Sequence, residues 1–226
     1  MPVERHARAG IALETDLWAR GYRTVAGIDE VGRGAWAGPV VAAAVVLPPD
    51  AAGLAALLGS VDDSKKLTPA ARRRLSSLIR SRALAVGLGS VPAPEIDQLG
   101  IVPATRRAMT EAVMALTPPP DFLLIDYLTL PGVACPQQGI AHGDAICLSI
   151  AAASIIAKVA RDDWMAAQDE DYPGYSFAQH KGYGTARHAG ALGRLGPCAL
   201  HRLSFGPVAR ASSCATVEDQ HASSHE

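Results

Sequence analysis

The sequence contains few cysteines and no long uninterrupted apolar run. Its four cysteines (Cys135, Cys147, Cys198 and Cys214) form no CxxC pair and have no zinc-ligand spacing. We therefore expect free thiols in a reducing cytoplasm rather than a disulfide framework or a zinc site. The charged N-terminal residues do not lead into a signal peptide, and no apolar run is long enough to span ~30 Å of hydrocarbon. These absences predict a cytoplasmic protein that binds no membrane, and we expect a monomer.

The sequence also lacks an excess of charge of either sign. The formal net charge is −1, although a strongly basic total is typical of proteins that bind nucleic acid. Two segments are nevertheless basic: residues 62–82 contain seven bases and two acids, and residues 181–210 contain five bases and no acid. They indicate either basic surfaces that face a polyanion or two ordinary solvated faces.

Alternating apolar runs and turn residues predict an α/β domain without internal repeats. Strands are expected at residues 24–29, 39–47, 84–91 and 122–126, with a further short strand at 139–142. Thr68 and Pro69 predict the start of a helix that reaches about residue 82. Further helices are expected at 94–116, split near Pro103, and near 186–195. Asp144 is expected to open a helix whose apolar first half, 146–156, lies against the sheet.

The same patterns suggest three regions. Residues 1–21 are expected to form an N-terminal extension, and residues 22–210 the main domain. Residues 211–226 contain too few apolar side chains to fold and are expected to be disordered.

Four acidic residues stand at the ends of apolar elements, where an unpaired charge is costly. Asp29 and Glu30 end the first strand, Asp126 ends the FLLI strand, and Asp144 precedes the apolar helix. If these strands are neighbours, the carboxylates converge and repel one another unless protons or divalent metals neutralise them. Oxygen ligands suit Mg²⁺ or Mn²⁺. Two such ions about 4 Å apart can clamp the attacking water and the leaving oxygen of a phosphodiester.

Each of these acids also has an ordinary structural interpretation. Asp144 could be an N-cap, Asp126 could start a turn, and Asp29 with Glu30 could be a surface pair. Adjacent side chains on a strand point to opposite faces. We therefore expect Asp29 to bridge the ions and Glu30 to act through a bent strand end or its backbone carbonyl.

Five segments in order resemble the motif series of the ribonuclease HII family. They are GIDEVGRGAWAGPVVAAAVVL (27–47), DDSKKL (62–67), LLID (123–126), GDAICLSIAAASIIAKVARD (143–162) and AQHKGYGT (178–185), and SFGPV (204–208) closes the series. The resemblance covers about residues 22–208. It implies a ribonuclease H-like α/β fold, with a mixed five-stranded sheet flanked by helices and a helical C-terminal extension.

The resemblance also implies roles for particular residues. Asp29, Glu30, Asp126 and Asp144 match the metal-binding carboxylates, and Gly32-Arg33-Gly34 matches the loop that reads the ribose 2′-hydroxyl. Glycines let backbone groups approach a sugar closely, although an isolated GxG is more often a tight turn. Tyr183 matches a tyrosine that stacks on the sugar following the ribonucleotide, with ordinary packing as the alternative. Contacts near the phosphate backbone are implied for Ser64, Lys65, Ser154 and Lys158.

Helical periodicity places Asp144, Ser154, Lys158 and Asp162 on one polar stripe of the helix expected to open at Asp144. That stripe would face a metal site, or Lys158 and Asp162 would simply form an i,i+4 pair. His180 is either a phosphate contact or, more simply, a hydrogen-bonded loop histidine.

Two residues depart from the family pattern. Tyr127 stands where the family usually has glycine, and its ring would either narrow access to the cleft or add a stacking surface. If the ring obstructs, glycine at 127 should raise cleavage. His142 replaces a lysine, which weakens one positive charge beside Asp144 at neutral pH.

These features together predict a metal-dependent endonuclease that uses two Mg²⁺ or Mn²⁺ ions. It is expected to hydrolyse the RNA strand of RNA/DNA hybrids and to cut 5′ of single ribonucleotides in duplex DNA, leaving a 3′-hydroxyl and a 5′-phosphate. A catalytically silent hybrid-binding module on the same fold is the alternative, but it would require the loss of a carboxylate. A nuclease of integrase or junction-resolving type would share the acids but lack the Gly32-Arg33-Gly34 loop.

Overall fold

The structure is a computed structural model that describes residues 9–50 and 68–212. The helices are α1 (Ala12–Ala19), α2 (Pro69–Arg82), α3 (Ala93–Leu99), α4 (Ile101–Met114), α5 (Gly143–Ile146), α6 (Leu148–Asp171), α7 (Phe177–His180) and α8 (Ala186–Leu195). The strands are β1 (Val25–Val31), β2 (Val40–Val46), β3 (Ala85–Val91), β4 (Phe122–Asp126) and β5 (Gln137–Ile140). Residues 206–212 are also helical. Among the helices in these ranges, none combines the length and the apolar character needed to cross a bilayer.

The five strands form one mixed sheet in the order β3-β2-β1-β4-β5. Strand β1 pairs antiparallel with β2 and parallel with β4, and β4 pairs parallel with β5. The predicted ribonuclease H-like architecture is confirmed, and the first four predicted strands and the helix that begins at Pro69 are found where expected. The short strand predicted at 139–142 lies instead at Gln137–Ile140.

One face of the sheet is covered by α2 and the N-terminal half of α6. Ile150 and Ile155 of α6 lie in one core with Val25 and Leu124 of the strands. The helix comes close to β1 because residue 27 is glycine: a Cβ there would lie 2.1 Å from the backbone carbonyl carbon of Ser149. The prediction that the apolar half of this helix lies against the sheet is therefore confirmed.

Helix α4 approaches the edge strand β3 in the same way. A Cβ at Gly87 would lie 2.0 Å from the Ala112 carbonyl oxygen, and a Cβ at Gly89 would lie 2.0 Å from the Ala108 carbonyl oxygen. Two glycines on one side of the strand thus let the helix backbone rest directly on it.

Replacing Gly89 by alanine is expected to lower the free energy of unfolding by about 3 kcal/mol, because strand and helix backbones must separate to admit the methyl group. Gly193, inside α8, has open space where a Cβ would be. Gly193→Ala is therefore the matched control, and it should stabilise the protein by about 0.5–1 kcal/mol. Urea unfolding of both variants measures the difference, and equal effects would contradict the packing.

Helix α1 is tied to the start of α6 by a buried acid. Leu17 and Trp18 of α1 pack in the same core as α6. Glu14, which is 1% exposed, accepts hydrogen bonds at Oε1 from the Ser149 backbone N–H at 2.8 Å and the Cys147 thiol at 3.0 Å. A carboxylate at a helix N-terminus satisfies a donor that lacks an intrahelical partner and is favoured by the helix dipole.

The helical stretch predicted at 94–116 is divided into two pieces near Pro103, as expected. The break itself falls at Gly100, with φ 80° and ψ 157°, and Pro103 lies in the first turn of α4, where its missing N–H costs nothing. Another predicted boundary is wrong, because Asp144 does not open the long helix. It belongs to the short α5, and Cys147 is extended, with φ −118° and ψ 126°, before α6 begins. A single polar stripe that includes Asp144 is therefore wrong, although Ser154, Lys158 and Asp162 do share α6.

The chain divides into two compact units. The first comprises Met1–Val31, Val41–Ser90 and Thr105–Val159, and it contains most of the sheet. The second comprises Gly32–Val40, Val91–Ala104 and Ala160–Glu226, and its own core includes Ala37, Met165, Tyr175, Phe177 and Ala191. The division at residues 21 and 210 suggested by the sequence stays a prediction, and residues 213–226 of the expected tail lie outside the described residues.

Candidate active site

Strand register brings Asp29 and Asp126 together. The parallel pairing of β1 with β4 runs from Val25↔Phe122 to Ile28↔Ile125, so Asp29 and Asp126 are the next positions on the two strands. Side chains alternate along a strand, and Val25 and Phe122 face the core beneath α6. Asp29 and Asp126 are therefore directed to that same face, at the carboxyl end of the parallel strands.

Glu30 joins these two acids. One carboxylate oxygen from each of Asp29, Glu30 and Asp126 lies within 4.8 Å of the others. The Glu30 side chain reaches this group although β1 pairs with β2 in unbroken register through Val31. The expected use of a bent strand end or of the Glu30 backbone carbonyl stays a prediction. The structure thus gathers three of the four predicted carboxylates.

Asp126 is held in place by a backbone group from the next segment. Its Oδ1 accepts a hydrogen bond from the Gly143 N–H at 2.7 Å, 17 residues ahead. Its backbone carbonyl accepts from the Leu128 N–H at 2.6 Å, so the interpretation that Asp126 starts a turn is compatible with the structure. Asp144 follows Gly143 in α5. It does not belong to the group of three in the part of the chain that the structure describes. The N-cap of α5 is His142, so the interpretation of Asp144 as an N-cap is wrong.

Asp29 is the most buried of the three acids, at 6% exposure. Burial raises its pKa well above the usual range, and the negative charges of Glu30 and Asp126 raise it further. Hydrogen bonds from the Ser154 hydroxyl and the Glu30 N–H act in the opposite direction. The cluster therefore favours a proton or a cation, and three carboxylate oxygens are the donor set that Mg²⁺ and Mn²⁺ prefer.

Two of the residues assigned to phosphate contacts lie on α6. The Ser154 hydroxyl hydrogen-bonds Asp29, so this side chain orients a carboxylate. Lys158 follows Ser154 by four residues, one turn along the helix. Ser64 and Lys65 lie outside the described residues, and their roles stay predictions.

The Gly32-Arg33-Gly34 segment is in the second unit. Gly32 has a φ of +91°, and a Cβ there would lie 2.2 Å from Nε of Arg161. The tight-turn interpretation therefore accounts for Gly32. Gly34 lies in the same turn, which the Ala35 N–H closes on the Gly32 carbonyl at 3.3 Å. The turn does not require glycine at 34, because φ there is not in the left-handed region and an added Cβ would meet no described atom within 4 Å.

Tyr183 and His180 lie in the same unit. The Tyr183 ring is partly buried, and the Arg161 guanidinium carbon lies 5.2 Å from its centroid. His180 is buried, with Nε2 donating to the Tyr175 carbonyl at 2.7 Å and Nδ1 accepting from the Gly182 N–H at 3.2 Å. Both ring nitrogens are used, so the phosphate role considered for His180 is wrong and the simpler interpretation as a hydrogen-bonded loop histidine is confirmed.

The sequence interpretation missed two fully buried arginines. Arg161 was not singled out, and Arg202 was counted in a basic segment, yet both are 0% exposed. Arg202 therefore contributes nothing to a basic surface. Burial lowers the pKa of Arg161, and it lowers the pKa of Arg202 to about 9. One available signal was that Arg161 stands four residues from the apolar Ala157 and from the apolar Met165 on the same helix.

Comparison with known proteins shows the family to which this chain is related. The family model described as Ribonuclease HII matches residues 26–208. The chain belongs to the ribonuclease HII family. It is 55% identical over 201 residues to Ribonuclease HII of Chloroflexus aurantiacus, which covers 89% of this chain and 95% of that protein. As a member of this family it is a ribonuclease H, an endonuclease that hydrolyses phosphodiester bonds.

Two solved structures share the fold of this chain. Ribonuclease H2 from Pyrococcus horikoshii matches with a TM-score of 0.71 at 24% identity, over 84% of this chain and 98% of that one. Bst-RNase HIII in complex with Mn²⁺ matches with a TM-score of 0.66 at 22% identity, over 86% of this chain and 71% of that one.

Tyr127, the first departure from the ribonuclease HII pattern, has a left-handed backbone. Its φ is 59°, its side chain is 69% exposed, and its N–H donates to the Ile140 carbonyl at 2.9 Å. His142, the second departure, has a φ of 57°. Glycine adopts this region without steric cost, which explains why glycine suits position 127.

Tyr127→Gly is expected to raise the free energy of unfolding by about 1 kcal/mol, because the left-handed strain is relieved. Tyr127→Ala removes the ring but keeps the Cβ and the strain, so it should bring no such gain. Urea unfolding of the two variants makes the comparison. An equal gain in both would mean that the ring, rather than the backbone, destabilises the wild-type protein.

Proposed function

We propose that this protein hydrolyses the RNA strand of RNA/DNA hybrids and cuts 5′ of single ribonucleotides in duplex DNA, leaving a 3′-hydroxyl and a 5′-phosphate. The observation that carries the proposal is the convergence of Asp29, Glu30 and Asp126 within 4.8 Å. Membership of the family supplies the substrate class.

Asp29, Glu30 and Asp126 would hold divalent cations, with Asp144 from α5 as a further ligand. The donors are all carboxylates, and the raised pKa of Asp29 marks a place where positive charge is favoured. When bound, two such cations would activate a water and stabilise the departing 3′ oxygen. Both Mg²⁺ and Mn²⁺ fit this donor set, and the Bst-RNase HIII structure is a Mn²⁺ complex.

The surrounding residues would prepare the carboxylates for this role. Ser154 fixes one Asp29 oxygen, and the Gly143 N–H fixes one Asp126 oxygen at 2.7 Å. Because these partners are on a helix and on backbone, the acids are oriented before a cation binds. Lys158 is proposed to contact the phosphate backbone, as are Ser64 and Lys65.

Gly32, Arg33 and Gly34 are proposed to recognise the ribose 2′-hydroxyl, the group that distinguishes RNA from DNA. Gly34 supports this role because neither φ nor neighbouring described atoms require glycine there. The space that a side chain at position 34 would occupy is open in the fold, so a sugar could occupy it. Tyr183 is proposed to stack on the sugar that follows the ribonucleotide.

The test compares a duplex that contains one ribonucleotide with its all-DNA twin, with and without Mg²⁺. We expect a single cut 5′ of the ribonucleotide, only with Mg²⁺, and no cut in the twin. Equal cleavage of both duplexes would favour a nuclease of junction-resolving type. Selective binding without cleavage would favour the silent hybrid-binding module.

A further inference from the structure

Arg161 bonds the loop that follows β1 from inside the second unit. Its three hydrogen bonds all go to backbone carbonyls: Nε to Pro39 at 2.8 Å, Nη2 to Ala37 at 3.0 Å and Nη1 to Lys181 at 2.9 Å. One guanidinium thereby joins the 37–39 segment to the segment that contains Tyr183.

Arg202 bonds the same loop at other points. Its Nε and Nη2 donate to the Gly38 carbonyl at 3.0 and 2.8 Å, and its Nη1 donates to the Arg33 carbonyl at 2.8 Å. The loop that contains Gly32-Arg33-Gly34 is therefore fixed at residues 33, 37, 38 and 39 by two side chains.

Arg161 also contacts both segments to which a substrate-reading role is proposed. Gly32 lies against its guanidinium so closely that a Cβ would be 2.2 Å from Nε. The Tyr183 ring lies over the same guanidinium, 5.2 Å from its carbon. A shift of this side chain would thus displace a glycine of the loop and the tyrosine together.

Burying two guanidinium groups is costly, since each loses its hydration. Loop carbonyls that face inward need donors, and the planar fork of arginine can serve two or three of them at fixed angles, which lysine cannot do. The buried arginines therefore lower the free energy of unfolding but fix the shape of the loop. Recognition of a single hydroxyl group requires such a fixed shape.

We propose that Arg161 and Arg202 are positioning residues that hold residues 32–38 in the shape that recognises the 2′-hydroxyl. This inference rests on the proposed function of Gly32-Arg33-Gly34.

The experiment measures binding rather than cleavage. Variants are made in an Asp126→Asn background, and fluorescence anisotropy gives the Kd for two duplexes that differ by one 2′-hydroxyl, in Mg²⁺. The discrimination ratio is the Kd for all-DNA duplex divided by the Kd for the ribonucleotide-containing duplex. Arg161→Lys and Arg202→Lys should each lower this ratio about tenfold, with little change in the Kd for all-DNA duplex.

Arg194→Lys is the matched control, because Arg194 is exposed on α8, and it should leave the ratio unchanged. An unchanged ratio in both folded test variants, or an equal loss of affinity for both duplexes, overturns the positioning role. A ratio of one in the parent protein overturns the proposed reading by Gly32-Arg33-Gly34 itself, and the positioning role with it.

A second variant decides the matter for Arg202 if Arg202→Lys does not fold. Asp97 accepts hydrogen bonds from the N–H groups of Leu203 and Ser204 at 2.8 and 3.0 Å, directly after Arg202. Asp97→Ala loosens this anchor without touching residues 32–38, and it should lower the ratio about threefold. An unchanged ratio in this folded variant overturns the role of Arg202.

Discussion

Asp126→Asn is expected to lower the rate of cleavage of a ribonucleotide-containing duplex by at least about a thousandfold while the protein stays folded. Asparagine retains an oxygen that can accept the Gly143 N–H, the bond that fixes Asp126 at 2.7 Å. It removes the negative charge and one ligand for a cation. Single-turnover cleavage in Mg²⁺, with circular dichroism for the fold, measures both effects.

The same substitution at the other end of the strand is the matched control. Asp121 precedes β4 and accepts hydrogen bonds from the backbone N–H groups of Arg23 and Thr24 at 2.6 and 3.0 Å. Asp121→Asn should cost some stability and leave the cleavage rate nearly unchanged. Retained activity in Asp126→Asn would remove Asp126 from the proposed metal site.

Asp29→Asn is expected to abolish cleavage and yet to stabilise the metal-free protein at neutral pH. Burial raises the pKa of Asp29 in the folded state, as do Glu30 and Asp126. The ionised side chain is therefore unfavourable in the fold when no cation accompanies it. Asparagine keeps an acceptor for the Ser154 hydroxyl and the Glu30 N–H while it removes the charge.

The contribution of Asp29 to the free energy of unfolding is expected to decrease as pH rises. A raised folded-state pKa means that the folded protein holds this proton more tightly than the unfolded chain does. The resulting stability is fully present below the ordinary aspartate pKa of about 4 and is lost as pH rises through the raised pKa. The advantage of Asp29→Asn over wild type should therefore grow as pH increases.

Thermal unfolding in EDTA between about pH 4 and pH 8 makes this measurement. We expect the midpoint of Asp29→Asn to exceed that of wild type by several degrees at the upper end. Mg²⁺ or Mn²⁺ should then raise the wild-type midpoint and leave that of the variant unchanged, because a ligand stabilises only the state that binds it. Asp16→Asn, at an exposed acid on α1, is the control. A lower midpoint for Asp29→Asn across the whole range would refute the argument.

The strands and the carboxylate cluster could be predicted because local patterns determine them. All seven residues of β2 are buried, and such a strand is recognisable as a continuous apolar run. Asp29 and Asp126 each follow a buried run, and parallel strands end at the same edge of a sheet. Their convergence therefore needed only the assumption that the two strands are neighbours.

The break before α6 could not be predicted, because distant residues impose it. No glycine or proline marks the sequence Ile146-Cys147-Leu148. Gly10 instead pairs with this segment: its N–H donates to the Ile146 carbonyl at 2.9 Å, and its carbonyl accepts from the Leu148 N–H at 2.8 Å. The helical pattern of residues 143–171 gives no information about a partner so distant in the sequence.

The buried arginines were missed for the same reason. The carbonyls that Arg161 serves belong to residues 37, 39 and 181, which are far from it in the sequence. Net charge and charge runs treat every arginine as solvated. Only the folded chain distinguishes Arg202, which is buried, from Arg194, which is exposed.

The hydrogen bond between Glu14 and the start of α6 shows that the folded domain includes residues before the segment that matches the family model. The match to the family model begins at residue 26, after α1 has ended. A chain trimmed to that segment would leave the Ser149 N–H without its acceptor and would uncover the core where Leu17 and Trp18 pack. A chain reduced to the residues that match the family model would therefore lack the contact that fixes the start of α6, the helix that holds Ser154 beside Asp29.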